Sequence, residues 1–119
     1  MRGFTVLLLT TTGRKSGKLH TVPLGLFDFP GGYLIVASNA GQPTHPAWYH
    51  NLKSHPQVTV QVLDKVMTAN AEVLTSETRA SAWQQVITSA PMYASYEKKT
   101  TREIPLVLLR PTQSSFSAA

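Results

Sequence analysis

Nine residues near the start of the chain, Thr10-Thr11-Thr12-Gly13-Arg14-Lys15-Ser16-Gly17-Lys18, concentrate more potential chemistry than any other stretch. Two glycines bracket an arginine, a lysine and a serine. The backbone can therefore turn tightly while a bidentate fork and a point charge face one small volume. Successive amides in such a turn can form an anion-binding concavity. An NTPase phosphate loop needs four residues between its glycines and a Ser or Thr after its lysine. Here Gly13 and Gly17 enclose three and Leu19 follows Lys18, so that device is excluded. Phosphate or polycarboxylate remains as the ligand chemistry, beside the plainer reading of a solvated basic hairpin tip.

The charge distribution favours a localised anion. Eleven Lys and Arg against six Asp and Glu give +5. Up to His55, five bases (Arg2, Arg14, Lys15, Lys18 and Lys53) meet one acid, Asp28, for +4; the remainder holds six bases and five acids, for +1. A nucleic-acid footprint fits less well, because no strand interleaves aromatics with bases.

Other chemistries find little support. With no cysteine, thiolate zinc, iron–sulfur and cysteine-nucleophile sites are ruled out. His45, His50 and His55 invite a metal reading, but steps of five turn a helical side chain roughly 140° off its starting face. No carboxylate lies close in sequence, so no metal site is expected. His45, before Pro46, reads as a helix-entry residue, and the other two as surface residues. The six acids pair with no nucleophile, which leaves hydrolysis weakly supported and assigns any hard chemistry to a bound cofactor. Tyr93 and Tyr96, three residues apart, read either as pocket lining or as packing residues with wet hydroxyls.

These residues need a scaffold. The chain has 119 residues, 42% hydrophobic and 14% charged, the size of one domain, set at 1–111 with a disordered tail over 112–119. No apolar run is long enough to span a bilayer and no leader is read, so the cytoplasm is the expected compartment. Residues 4–11 read as a strand buried on both faces around 6–9. Residues 19–29 read as extended, with Pro23 marking an edge or bulge, and 33–38 as a third strand after the Pro30-Gly31-Gly32 turn; the three form an antiparallel meander. Residues 39–45 read as an ordered loop and 46–53 as a short helix with Trp48 and Leu52 on one face. Alternating Val58, Val60 and Val62 open a second hairpin that returns over 66–74. A helix capped at Thr75 or Ser76 carries Trp83, and a last strand covers 104–109. The pattern predicts a small antiparallel barrel of α+β class, with about six strands and two or three short helices.

Four segments in order resemble the deazaflavin-dependent nitroreductase family. They are Leu8-Leu9-Thr10-Thr11-Thr12-Gly13-Arg14-Lys15-Ser16-Gly17; Val36-Ala37-Ser38-Asn39 with Gly41; His45-Pro46-Ala47-Trp48-Tyr49-His50-Asn51-Leu52-Lys53; and Thr101-Arg102-Glu103-Ile104-Pro105. The resemblance runs over residues 7–111 and implies a split β-barrel of the FMN-binding type, with the reduced 8-hydroxy-5-deazaflavin coenzyme F-420 as cofactor. It implies that Arg14, Lys15 and Ser16 hold the coenzyme's phosphate and the start of its polyglutamate tail, in agreement with the anion reading above. By the same likeness His20, Thr21, Val22, Pro23, Leu24 and Gly25 pass under tail and ring. Val36, Ala37, Ser38 and Asn39 would line the ring pocket, and Ala47, Trp48, Tyr49, His50 and Asn51 would close it. Tyr93 would face ring and substrate, and Tyr93, Tyr96 and Ser38 are the catalytic candidates.

The family pattern is not followed everywhere. His20 stands where many members have Arg, and Asn39 where some have Lys, which redistributes anion binding. Ala90 stands where a well-known nitroreductase has Tyr, which weakens the case for nitro reduction. The helix that commonly precedes the first strand is not expected here. The implied activity is hydride transfer from reduced F-420 to an electrophilic small molecule: a quinone, an enone or a nitroaromatic. The alternatives are an FMN-binding oxidoreductase on the same kind of barrel, a non-catalytic deazaflavin carrier, and a nucleic-acid-binding barrel, suggested by the net charge but lacking exposed aromatics interleaved with bases. A small-molecule redox substrate is the expected partner. Membrane contact is not predicted, and exposed barrel edges leave a homodimer open.

Overall fold

The computed structural model describes residues 6–112. Among them, seven strands form one antiparallel sheet: β1 (Val6–Thr12), β2 (Leu19–Gly25), β3 (Phe27–Phe29), β4 (Gly32–Val36), β5 (Gln57–Val62), β6 (Lys65–Val73) and β7 (Leu106–Pro111). Three helices accompany it: α1 (Ala47–Ser54), α2 (Ser76–Ser89) and α3 (Met92–Lys99), with a 3-10 turn at Asn39–Gly41. The strand order is β2-β1-β5-β6-β7-β4-β3. Four strands separate β2 from β4 in that order, yet the two touch, so the sheet curls into a half-barrel. This is the split-barrel-like α+β fold. Phe4, Thr5 and residues 113–119 of the expected tail lie outside the described residues; Thr112 still bonds to Thr68.

The meander expectation is corrected by the strand order. β1–β2 and β3–β4 are each hairpins, but β2 lies at one edge of the sheet and β3 at the other. The extended stretch expected over 19–29 breaks at Leu26, giving seven strands in place of six. The free side of β1 then takes β5, with Leu9 opposite Val60, and β4 takes β7, with Ile35 opposite Val107. Pro23 falls on the edge strand β2, where a missing N–H is tolerated.

β1 is also not buried on both faces. Leu7 and Leu9 point into the curl, while Val6 is 47% and Leu8 39% exposed. An unbroken apolar run cannot tell one covered face from two; coverage depends on what packs outside. For β4 and β7 the outside is covered. Ile35, Val107 and Leu109 join the interior cluster, and Leu34, Val36, Leu106 and Leu108 pack beneath Trp83, Val86 and Tyr93 of α2 and α3. Helix α1 plugs the curl with Trp48, Tyr49 and Leu52. Each such large side chain contributes about 1.5–3 kcal/mol through burial.

Candidate functional site

Two cavities adjoin across one side chain, the indole of Trp48, which lines both. The first, about 380 Å³, lies between the β1–β2 loop and α1 and takes the label tail-side from the sequence expectation for Arg14, Lys15 and Ser16. Arg14, Lys15, Ser16 and His20 face it from the loop and β2, Val22 from further along β2, and Ala47, Trp48 and Asn51 from the helix.

The loop is held by its own atoms. The Gly13 N–H donates to Lys18 O at 2.7 Å, the Gly17 N–H to Gly13 O at 2.9 Å, and the Lys18 N–H to Ser16 Oγ at 3.1 Å. Gly17 has φ +75°, which glycine alone adopts without strain. A Cβ on Gly13 would come within 2.6 Å of Ser16 Oγ and 3.0 Å of His20 Nε2, so the loop closes tightly over this residue. Asn51 fastens the loop to α1. Its Oδ1 accepts from the Arg14 N–H at 3.1 Å and its Nδ2 donates to Thr11 Oγ1 at 3.1 Å, both Asn51 and Thr11 being buried. The anion nest is therefore narrower than the sequence suggests. Three of the loop amides are occupied within the loop and that of Arg14 by Asn51, and those of Lys15 and Ser16 bond nothing among the described residues. With the exposed Arg14 and Lys15 side chains, these two amides can grip an anion, and Val22, Ala47 and Trp48 give it an apolar floor.

The second cavity, about 300 Å³, takes the label ring-side from the sequence expectation for Val36, Ser38 and Asn39. Leu24 and Gly25 of β2, Val36 at the end of β4, Asn39 and Ala40 of the 3-10 turn with Ser38 and Gln42 on either side of it, Pro46 and Trp48, and Tyr93 of α3 line it. Tyr93 is buried, with Phe27 and Tyr96 edge-on to its ring at 6.1 and 5.7 Å. Burial, and then the neighbouring Tyr96, push the Tyr93 phenol's pKa above its ordinary value, so the proton stays on the oxygen at neutral pH.

Of the residues singled out in the sequence, the fold brings Arg14, Lys15, Ser16, His20, Val22, Ala47, Trp48 and Asn51 to the tail-side cavity. It brings Leu24, Gly25, Val36, Ser38, Asn39 and Tyr93 to the ring-side cavity. Strand alternation turns Thr21 and Pro23 to the opposite face, where Thr21 bonds the Thr10 hydroxyl at 2.7 Å. Ala37 is fully buried and lines neither cavity. Tyr49 packs inside the curl, His50 lies against Tyr49 and His45, and Tyr96 stands behind Tyr93. Residues not assigned a role from sequence are Thr11, Gln42 and above all Arg102, whose guanidinium bonds the backbone on both sides of the 3-10 turn. The Thr101-Arg102-Glu103-Ile104-Pro105 segment was visible in the sequence; what the arginine touches was not.

A family model described as F420H(2)-dependent quinone reductase matches residues 1–111. An F420H(2)-dependent quinone reductase of Mycobacterium tuberculosis is 40% identical over 106 residues, covering 87% of this chain and 71% of that protein. A solved structure of an F420-H2 dependent reductase, 43% identical, superposes with a TM-score of 0.81 over 89% of this chain and 94% of that one. A heme storage protein from Vibrio cholerae, 17% identical with a TM-score of 0.73 over 92% of this chain and 83% of its own, shares the fold alone. The chain belongs to the F420H(2)-dependent quinone reductase family and is an oxidoreductase that depends on F-420.

Proposed function

We propose that this chain passes a hydride from reduced F-420 to a quinone. In this reading the tail-side cavity holds the coenzyme's phosphate and glutamates, and the ring-side cavity holds its ring and the substrate. One observation carries the reading: Trp48 walls both cavities, so a cationic mouth and a tyrosine-lined chamber adjoin, matching a molecule with an anionic tail and a planar ring. The residues present fit that coenzyme, since two exposed cations and two unbonded amides meet an apolar floor.

When bound, reduced F-420 supplies the hydride at ring carbon C5. The chain's own residues do the rest. Arg14 and Lys15 neutralise the tail, and Asn51 keeps their loop against α1. Trp48, Leu24 and Val36 exclude water from the ring side. Tyr93, its phenol held neutral, donates a hydrogen bond to the oxygen on which the quinone's negative charge develops and passes it a proton that solvent replaces, and Ser38 Oγ is the second donor beside it. Enones and nitroaromatics are secondary substrates here, and the quinone preference follows the names of the relatives. A cytoplasmic location and self-association into a homodimer belong to the same proposal. No helix among the described residues is long and apolar enough to cross a membrane.

The test mixes pure protein with reduced F-420 and a benzoquinone and follows the return of the oxidised coenzyme's absorbance, with FMN titrated in parallel. Rapid oxidation with wild type, slowed roughly a hundredfold in Tyr93→Phe at unchanged coenzyme affinity, is the expected result. Tight coenzyme binding without oxidation would make the chain a carrier, and preferential FMN binding would overturn the cofactor assignment.

A further inference from the structure

The 3-10 turn on the wall of the ring-side cavity has an unusual backbone. Asn39, Ala40 and Gly41 take φ of 48°, 55° and 79°, three successive left-handed residues of which two carry side chains. L-residues avoid this region, so a run of this kind persists where its surroundings over-determine it. Local bonds supply part of the restraint. The Gly41 N–H donates to Ser38 O at 2.9 Å, the Gln42 N–H to Asn39 O at 3.0 Å, and Asn39 Nδ2 to Thr44 O at 2.9 Å. Helix α3 closes the other side, where a Cβ on Gly41 would lie 3.1 Å from both Tyr96 O and Lys99 Cβ.

The rest comes from Arg102, far along the chain. Its Nη2 donates to Ser38 O at 2.8 Å and its Nε to Gln42 O at 3.0 Å, so the guanidinium grips the residues immediately before and after the left-handed run. Its Nη1 reaches Ala37 O at 3.3 Å and His45 Nδ1 at 2.9 Å. The ion pairs among the described residues involve Arg79 and Arg110, and Arg102 has no carboxylate partner there. A planar fork with five donors can serve acceptors spread from Ala37 to His45; a lysine, donating from one nitrogen, cannot.

We propose that Arg102 is a positioning residue for the reductase reaction, holding the left-handed turn in place so that the ring-side cavity keeps the shape turnover requires. The proposal rests on the assignment of ring and substrate to that cavity. His45 is part of the clamp. To accept from Arg102 its Nδ1 must be unprotonated, which places the ring proton on Nε2. Burial, then Arg102, His50 and Lys53, hold the His45 pKa below the ordinary histidine value, and the Tyr49 ring covers it at 4.6 Å. Acid would set an imidazolium against the guanidinium and remove one of its four acceptors.

Arg102→Lys is compared with wild type by three measurements: amide hydrogen exchange of the protein without coenzyme, coenzyme Kd by fluorescence titration, and kcat and KM with a benzoquinone. The expected result is faster exchange at Gly41 and Gln42 with Gly17 unchanged, and a Kd changed far less than kcat, because the charged tail contacts lie outside this cavity. The kcat should fall roughly ten- to a hundredfold, as misplacement of reacting groups would give. Unchanged exchange at Gly41 and Gln42 would overturn the clamp; faster exchange with wild-type kcat would overturn its role in turnover. A wild-type protein that fails to oxidise the coenzyme would instead overturn the ring-side reading and the catalytic half of this proposal with it, and the exchange data would still judge the clamp. Should Arg102→Lys not fold, His45→Gln decides. Wild-type kcat should show an acid limb below the ordinary histidine pKa that His45→Gln lacks, and identical pH profiles would overturn the proposal.

Discussion

The two cavities share a tryptophan and are built in opposite ways. The tail-side loop is stapled by residues within five positions of one another, with one long-range tie through Asn51. The ring-side turn carries three left-handed residues and depends on an arginine about sixty positions away and on a helix packed behind it. Gripping an anion needs little more than exposed donors at the end of a hairpin, which short-range sequence can encode. Shaping a chamber for a reacting ring needs walls from several parts of the chain, which only tertiary structure brings together.

If that division is right, substitutions should separate affinity from turnover. The largest effect is expected where the halves meet. Trp48→Ala should cost about 3–5 kcal/mol of stability by urea denaturation and lower coenzyme affinity and kcat together. An effect on only one of the two would mean the indole belongs to a single cavity. Asn51→Leu strands the Thr11 hydroxyl and the Arg14 amide, with an expected loss of about 1–3 kcal/mol and weaker coenzyme binding, while exchange at Gly41 stays as in wild type. Gly41→Ala forces a side chain into a left-handed position against α3. A stability loss of about 1–2 kcal/mol should come with kcat lowered more than coenzyme affinity, and a loss confined to Kd would count against the division.

The smallest effect is with pH. The folded-state pKa of His45 lies below its unfolded value, so the unfolded chain takes up the proton first as pH falls. The contribution of neutral His45 to stability is complete above the ordinary histidine pKa and is lost as pH drops through the lowered folded value. Denaturation midpoints should fall across that window in wild type and change less in His45→Gln.

The same contrast governs how much could be read from the sequence. The Gly13 to Gly17 loop, a helix opening beside Pro46 (which caps it in extended form, so that it starts at Ala47, one residue later than expected) and the edge placement of Pro23 follow from turn, capping and ladder chemistry, all local. Exposure of Val6 and Leu8 did not, because α2 and α3 cover the outer face of β4 and β7 and not that of β1, and an apolar run carries no record of what covers it. The split of β2 from β3 to opposite edges was hidden for a related reason. Pairing of β1 with β5 and of β4 with β7 is settled by sheet closure, which no short window of sequence contains. Arg102 is the extreme case: nothing in Thr101-Arg102-Glu103 marks a residue whose acceptors are Ala37, Ser38, Gln42 and His45.

The central claim is that the basic loop is the coenzyme's anchor. Its most direct test is a fluorescence titration of F-420 into wild type and into Arg14→Ala/Lys15→Ala. Loss of two charge-assisted contacts should weaken binding by about 2–5 kcal/mol, roughly thirtyfold or more in Kd, with folding intact. A Kd equal to that of wild type would contradict the account.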